Sequence, residues 1–214
     1  DEWVIDQACR QIIAWNKAKL PEIRISINFS ARHFRKSDMV TDIIRIINEH
    51  RVAPHRLCIE ITEGVLMDTE RAQRMLEELV AFGVHISVDD FGTGFSSLSY
   101  LKRLPIHELK IDRSFIDGIV NDSDDRAISS AIIALAANLE MKVVAEGVET
   151  AEQLAMLISH QCDIIQGYFF SRPLPLEEME NLLISGQHLP IHLLRSGTRK
   201  PTALVVAVDG GNEV

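Results

Sequence analysis

The residues best suited to chemistry are carboxylates that follow apolar runs. Asp89 and Asp90 stand directly after the run at 84–88 and directly before Phe91-Gly92-Thr93-Gly94-Phe95-Ser96-Ser97. Neighbours on a strand point to opposite faces, so both carboxylates reach one site only where the strand gives way to a loop. Asn28, Glu60 and Glu146 each follow a similar run, Lys110 lies inside one, and Gln166 closes another. Singly, such residues are ordinary strand ends and helix caps, and a lone strand lysine commonly snorkels to solvent. Together they form a ring of oxygen donors with one ammonium. Four converging carboxylates repel one another unless cations sit between them, and carboxylate with amide oxygen suits magnesium, manganese or calcium. A carboxylate bridging two such ions, roughly 3.5–4 Å apart, can activate water and neutralise a phosphoryl oxygen.

Other chemistries have weaker support. Asp90-Phe91-Gly92 copies a kinase triplet, but no Gly-rich loop or His-Arg-Asp segment precedes it. Gly92-x-Gly94 is too short for a dinucleotide fingerprint, and neither a phosphate-loop Gly-Lys-Ser/Thr nor a Gly-x-Ser-x-Gly elbow occurs. The eight histidines are scattered, with no His-x-x-x-His pair on a helix face, so a histidine zinc site is not expected. Cys9, Cys58 and Cys162 are odd in number, far apart and set in apolar stretches, which fits reduced core thiols. A net charge of −9 argues against broad capture of DNA or RNA, although bound cations can reverse the sign locally for a phosphate ester.

These groups must be positioned by alternating elements. Runs at 23–27, 57–59, 84–88, 109–111, 143–145 and 164–165 predict strands, and amphipathic stretches at 39–49, 69–82, 126–139 and 151–159 predict the helices between them. Strict alternation implies parallel pairing through crossover helices. An open doubly wound sheet also fits, but it would gather its chemistry near one switch point. Here nearly every strand ends in a polar group, the pattern of a TIM-type (β/α) barrel whose site is assembled from many strands.

The chain opens on a helix at 3–15, with Val4, Ala8, Ile12 and Trp15 on one face and no strand before it. A full barrel needs roughly 250 residues, about 40 more than this chain has, so the barrel is expected to be incomplete at its N-terminus. A last helix is predicted at 177–184, after which periodicity fades. Residues 195–201 read as a basic linker, and 203–208 as a lone strand-like run, either the start of a further domain or an appended remnant. The expected organisation is one domain over 1–186 and a tail or linker over 187–214. No apolar run reaches the 18 or so residues of a membrane span, and no secretory signal opens the chain, so a soluble, cytoplasmic domain without membrane contact is expected.

The ordered segments Asn28-Phe29-Ser30-Ala31-Arg32, Glu60-Ile61-Thr62-Glu63, Asp89-Asp90-Phe91-Gly92-Thr93-Gly94, Lys110-Ile111-Asp112, Glu146-Gly147-Val148-Glu149 and Gln166-Gly167-Tyr168 resemble the EAL-domain cyclic-di-GMP phosphodiesterases of bacterial signalling. The resemblance implies a modified barrel with one antiparallel strand, hydrolysing cyclic di-GMP to linear pGpG with two magnesium or manganese ions. It places Asn28, Glu60 and Asp89 on one metal and Asp89, Asp90 and Glu146 on the other. It further implies that Lys110 holds and activates the attacking water and that Gln166 positions the water or a metal-bound group. Glu63 would anchor the loop at 91–97, with Asp112, Glu149 and Tyr168 near the site or substrate.

The family's Glu-Ala/Val-Leu segment, which carries a further metal-binding glutamate on the first strand, occurs nowhere in these residues. A missing strand exposes two sheet edges. The chain alone is therefore expected to be poorly active and to associate, as a homodimer or aggregate, with the parent protein adding the strand and upstream sensory or regulatory domains. The competing expectation is a non-catalytic module that binds cyclic di-GMP as a receptor or contacts a protein partner.

Overall fold

The computed structural model describes residues 2–67, 69–94, 101–186 and the pair 203–204. The described strands form one sheet in chain order: β1 (Ile25–Phe29), β2 (Leu57–Thr62), β3 (His85–Phe91), β4 (Glu108–Ile111), β5 (Lys142–Ala145), β6 (Ile164–Ile165) and β7 (Ala203–Leu204). Every pairing among them is parallel. The antiparallel strand that the resemblance implies is not among the described residues. Of the lone strand-like run expected at 203–208, residues 203–204 continue the sheet beside β6, and 205–208 lie outside the described residues.

Helices join these strands as the alternation predicts: α1 (Glu2–Lys17), α2 (Met39–His50), α3 (Thr69–Phe82), α4 (Arg113–Gly118), α5 (Ser123–Asn138), α6 (Ala151–Ser159) and α7 (Leu176–Ser185). The short α4 is not foreseen by periodicity, being too brief to show any. Asp112 caps it by accepting from the Ser114 amide at 3.0 Å. At the start of α6, Thr150 and Gln153 make a reciprocal capping box.

The two faces of the sheet differ sharply. Ile27, Phe29, Ile59, Ile61, Ile86, Val88, Leu109, Ile111, Val143 and Ala145 belong to the continuous apolar core shared with the helices. Alternation turns the intervening residues to the opposite face, and the register aligns Asn28 with Glu60, Glu60 with Ser87, Ser87 with Glu108, and Glu108 with Lys142. Buried apolar residues on that face, Cys58, Val144 and Ile164, stand apart from the continuous core. One face therefore supplies cohesion, and the other carries polar groups in layers.

This arrangement corrects the expectation that the polar groups close their strands. Asn28, Glu60, Asp89 and Asp90 lie inside β1, β2 and β3, and Phe91 ends β3 rather than opening a loop. The ladder runs on past them because backbone pairing is indifferent to a polar side chain that faces away from the helices. Glu146 and Gln166 do follow strand ends, as expected.

Candidate active site

The Asp89-Asp90 pair reaches one side of the sheet through a bulge. Opposite β4 the register runs from Val88↔Leu109 to Phe91↔Ile111, so β3 spends one residue more than its partner and both aspartates oppose Lys110. Asp90 takes up the extra residue in a left-handed conformation, φ 53°, which aspartate tolerates better than a branched side chain. Two adjacent carboxylates thus meet one site within the strand, where the sequence suggested only a loop could allow it.

Lys110 is the centre of the cluster. Its Nζ lies 2.9 Å from Glu60 Oε2, 2.9 Å from Asp89 Oδ1 and 2.6 Å from Glu146 Oε1. Both Lys110, 4% exposed, and Glu60, 5% exposed, are shut from solvent, so this lysine does not snorkel. Burial alone would lower the Lys110 pKa, but the three carboxylates outweigh it and hold the ammonium above its usual range. Burial pushes Glu146 up to about 7; Lys110 opposes that shift, and Asp89 and Glu60 add to it.

Asp89, Asp90 and Glu146 each offer a carboxylate oxygen, all within 4.8 Å of one another. Oxygens bound to one hard cation at roughly 2.0–2.6 Å can lie that far apart, so the trio fits magnesium, manganese or calcium. Burial and repulsion from Asp89 and Asp112 raise the Asp90 pKa, and Asp90 shares a hydrogen bond with Asp112. Burial works against ionised Asp112, but hydrogen bonds from Ser114 prevail and lower it. An excess of negative charge therefore surrounds a single ammonium.

Supporting segments fix the rim. Buried Glu63 accepts from the Gly92 and Gly94 amides at 3.3 and 3.1 Å, tying down the described start of the 91–97 loop; residues 95–97 lie outside the described residues. A Cβ on Gly94 would come within 2.9–3.1 Å of that carboxylate, so a side chain there would have to push the Glu63 carboxylate out of its place. Glu146 and Gln166 are brought side by side by backbone bonds from Gln166 N to Ala145 O at 2.9 Å and from Val148 N to Gln166 O at 3.1 Å. Gly167, at φ 155°, lets the two segments touch, since a Cβ there would meet Val148 backbone atoms at 2.3 Å. The Gln166 Oε1 is buried and has no hydrogen-bond partner among the described residues. Asn28 sits next to Glu60 across β1 and β2 and is exposed.

Two expected residues lie apart from the carboxylate cluster. Glu149 pairs with Arg113 at 2.8 Å on the surface, and exposed Tyr168 lies under the Arg172 guanidinium, 4.6 Å from its ring centroid. Their contacts make a rim outside the buried centre.

A second polar layer, which the motif reading missed, lies at the other end of the same strands. Glu108 accepts from Arg24 Nη1 at 2.9 Å. Arg24 also donates to the His55 carbonyl at 3.1 Å and approaches His85 Nε2 at 3.3 Å. His85 stacks on His107 at 4.3 Å, and His107 Nδ1 accepts from the Ile86 amide. The available signal was the two-residue spacing of Glu108 and Lys110, which puts both charged groups on one face of β4.

A family model described as the EAL domain matches residues 1–173. The chain belongs to the EAL-domain family. It is 46% identical over 179 residues to the bifunctional diguanylate cyclase/cyclic di-GMP phosphodiesterase MucR of Pseudomonas aeruginosa, covering 83% of this chain and 26% of that protein. It is 44% identical over 184 residues to the cyclic di-GMP phosphodiesterase NbdA of the same organism, covering 86% and 24%. Among solved structures, the PaMucR phosphodiesterase with c-di-GMP matches with TM-score 0.80 at 46% identity, covering 83% of this chain and 72% of that one. The EAL domain of Mycobacterium smegmatis DcpA matches with TM-score 0.82 at 37% identity, covering 87% and 85%. This EAL domain is thus homologous to cyclic-di-GMP phosphodiesterases, and it spans about a quarter of the length of MucR and NbdA. No described helix is long and apolar enough to cross a membrane.

Proposed function

We propose that this EAL domain hydrolyses cyclic di-GMP to linear pGpG with the help of two divalent cations, magnesium or manganese. The observation that carries the reading is the buried Lys110, gripped by Glu60, Asp89 and Glu146 beside the Asp89-Asp90-Glu146 oxygens. Asn28, Glu60 and Asp89 would hold one ion, and Asp89, Asp90 and Glu146 the other. Bound there, the ions supply Lewis acidity that lowers the pKa of water and neutralises phosphoryl charge. Lys110 orients its carboxylate partners and offers an N–H to the attacking water. Gln166, with its free carbonyl oxygen, orients that water or a neighbouring group. Water adds at one phosphorus, the P–O3′ bond breaks, and the 3′ oxygen leaves as a hydroxyl. Glu63 steadies the loop at the entrance, while Asp112, Glu149 and Tyr168 line the approach.

The sheet is read here as the wall of a closed TIM-like barrel whose remaining strand carries the Glu-Ala-Leu motif. On the same reading 1–186 is the phosphodiesterase unit and 187–214 a tail or linker, of which residues 203–204 pair with β6 at the edge of the sheet. The domain pairs as a homodimer and works in the cytoplasm within a larger signalling protein that has upstream sensory or regulatory domains. Assays of cyclic di-GMP beside a generic phosphodiester, with magnesium and then calcium, test the reading on a chain that includes the upstream strand. Turnover of cyclic di-GMP alone, supported by magnesium, is the expected result. Tight binding with no turnover would make the domain a receptor instead.

A further inference from the structure

Lys110 carries three N–H donors and no acceptor. All three face carboxylates: Glu60 and Asp89 accept hydrogen bonds at 2.9 Å each, and Glu146 Oε1 stands 2.6 Å away in an ion pair. Two of those partners, Asp89 and Glu146, are also members of the trio whose oxygens lie within 4.8 Å and suit a hard cation. Asp89 Oδ1 is further engaged by the Asp90 amide at 3.1 Å. The same carboxylates therefore serve two positive charges. Lys110 has no N–H left for water or a phosphoryl oxygen while its three acceptors stay in place.

We propose that Lys110 and a divalent cation compete for Asp89 and Glu146, so that cation binding and release of the lysine are one coupled event. The inference rests on the metal-dependent reading above and deepens it: Lys110 is both the chemical group and the element that sets cation affinity. Asp89 and Glu146 turn part of their charge from the ammonium to the cation, and Lys110 gains at least one free N–H aimed into the site. The coupling is reciprocal: an engaged lysine weakens cation binding by the same factor by which a bound cation weakens the lysine's contacts. A rival role, in which Lys110 merely scaffolds the carboxylates for the cation, predicts the opposite sign.

The test is calorimetric titration with Mn2+ of the chelator-treated protein that includes the upstream strand, wild type against Lys110→Met. Competition predicts that the variant binds Mn2+ about tenfold tighter or more, since a like charge a few ångströms away is removed. Equal or weaker affinity in the variant overturns the proposal while leaving a metal site in place. No Mn2+ uptake by either protein overturns both the proposal and the metal-dependent reading. Should Lys110→Met fail to fold, 15N spectra of the wild-type chain supply the second readout, through the buried lysine ammonium during titration with Mg2+. Its Nζ signal shifts and its proton exchange quickens as the cation binds. A signal that stays unchanged while calorimetry records Mg2+ binding refutes the coupling.

Discussion

The two ends of the polar sheet face hold charge in different proportions. At the amino end of the strands, Arg24 meets Glu108 one to one, and the histidines stacked beside them stay neutral because burial, with Arg24 nearby, holds His85 down to about 4. At the carboxyl end, Lys110 faces Glu60, Asp89 and Glu146 together, with Asp90 close behind. Glu108 and Lys110 are two residues apart on the same strand and share a face, yet one sits in a balanced pair and the other in a site short of positive charge. A balanced pair is structural, whereas a deficit of this kind invites cations and chemistry.

The largest effects should separate the two ends by function. Lys110→Ala and Glu60→Gln are each expected to lower cyclic di-GMP turnover by about a hundredfold or more, measured on a chain that includes the upstream strand. Unchanged turnover in either would remove that residue from the proposed machinery. Glu108→Ala strands Arg24 instead. Because Arg24 is a third exposed, the expected loss of stability is about 1–3 kcal/mol by chemical denaturation, with turnover retained. A catalytic collapse without loss of stability would break the distinction between the ends.

The ends should also oppose each other in pH dependence. His85 is lowered from 6.5 to about 4, so its contribution to stability is fully present above 6.5 and is lost as the pH falls toward 4. Glu146 is raised from 4.5 to about 7, so its contribution is present below 4.5 and is lost as the pH rises through 7. In chelator the two slopes partly cancel between pH 4.5 and 6.5. Saturating Mg2+ holds Glu146 ionised and removes its opposing slope, so unfolding free energy should climb more steeply with pH; identical curves with and without Mg2+ would contradict this. The smallest expected effect lies outside both ends. Thr150→Ala removes half of the α6 capping box and should cost about 1 kcal/mol in denaturant melts, without altering Mn2+ affinity.

Much of the candidate site was legible before any coordinates. Asp89, Asp90, Glu60, Glu146 and Lys110 stood out because carboxylates and a lysine beside β-branched runs are costly unless they meet partners, and the structure brings all five together. The parallel α/β fold was legible for a related reason: strand and helix alternate with clean periodicity, and α3 (Thr69–Phe82) and α6 (Ala151–Ser159) fall where the pattern puts them. Strand ends were read too early at Glu60 and Asp89, because a polar residue looks like a terminator when the second face of the sheet is assumed to be apolar. The spacing of Glu108 and Lys110 hinted that both share a face, but the pairing of Glu108 with Arg24 went unnoticed because an ion pair between residues 84 positions apart leaves no local trace.

The order of residues by itself determined which groups could do chemistry, the alternation of elements, and the family, since those depend on side-chain type and short-range spacing. Only the tertiary structure decided that Asp89 and Asp90 share a side, through one extra residue in β3 and a left-handed Asp90. It alone also decided that two carboxylates from β2 and β3 and a third from just past β5 close on one ammonium. Both outcomes are set by how strands far apart in the chain pair, and each strand's own pattern fixes which face it buries but not which side chains of another strand it will meet.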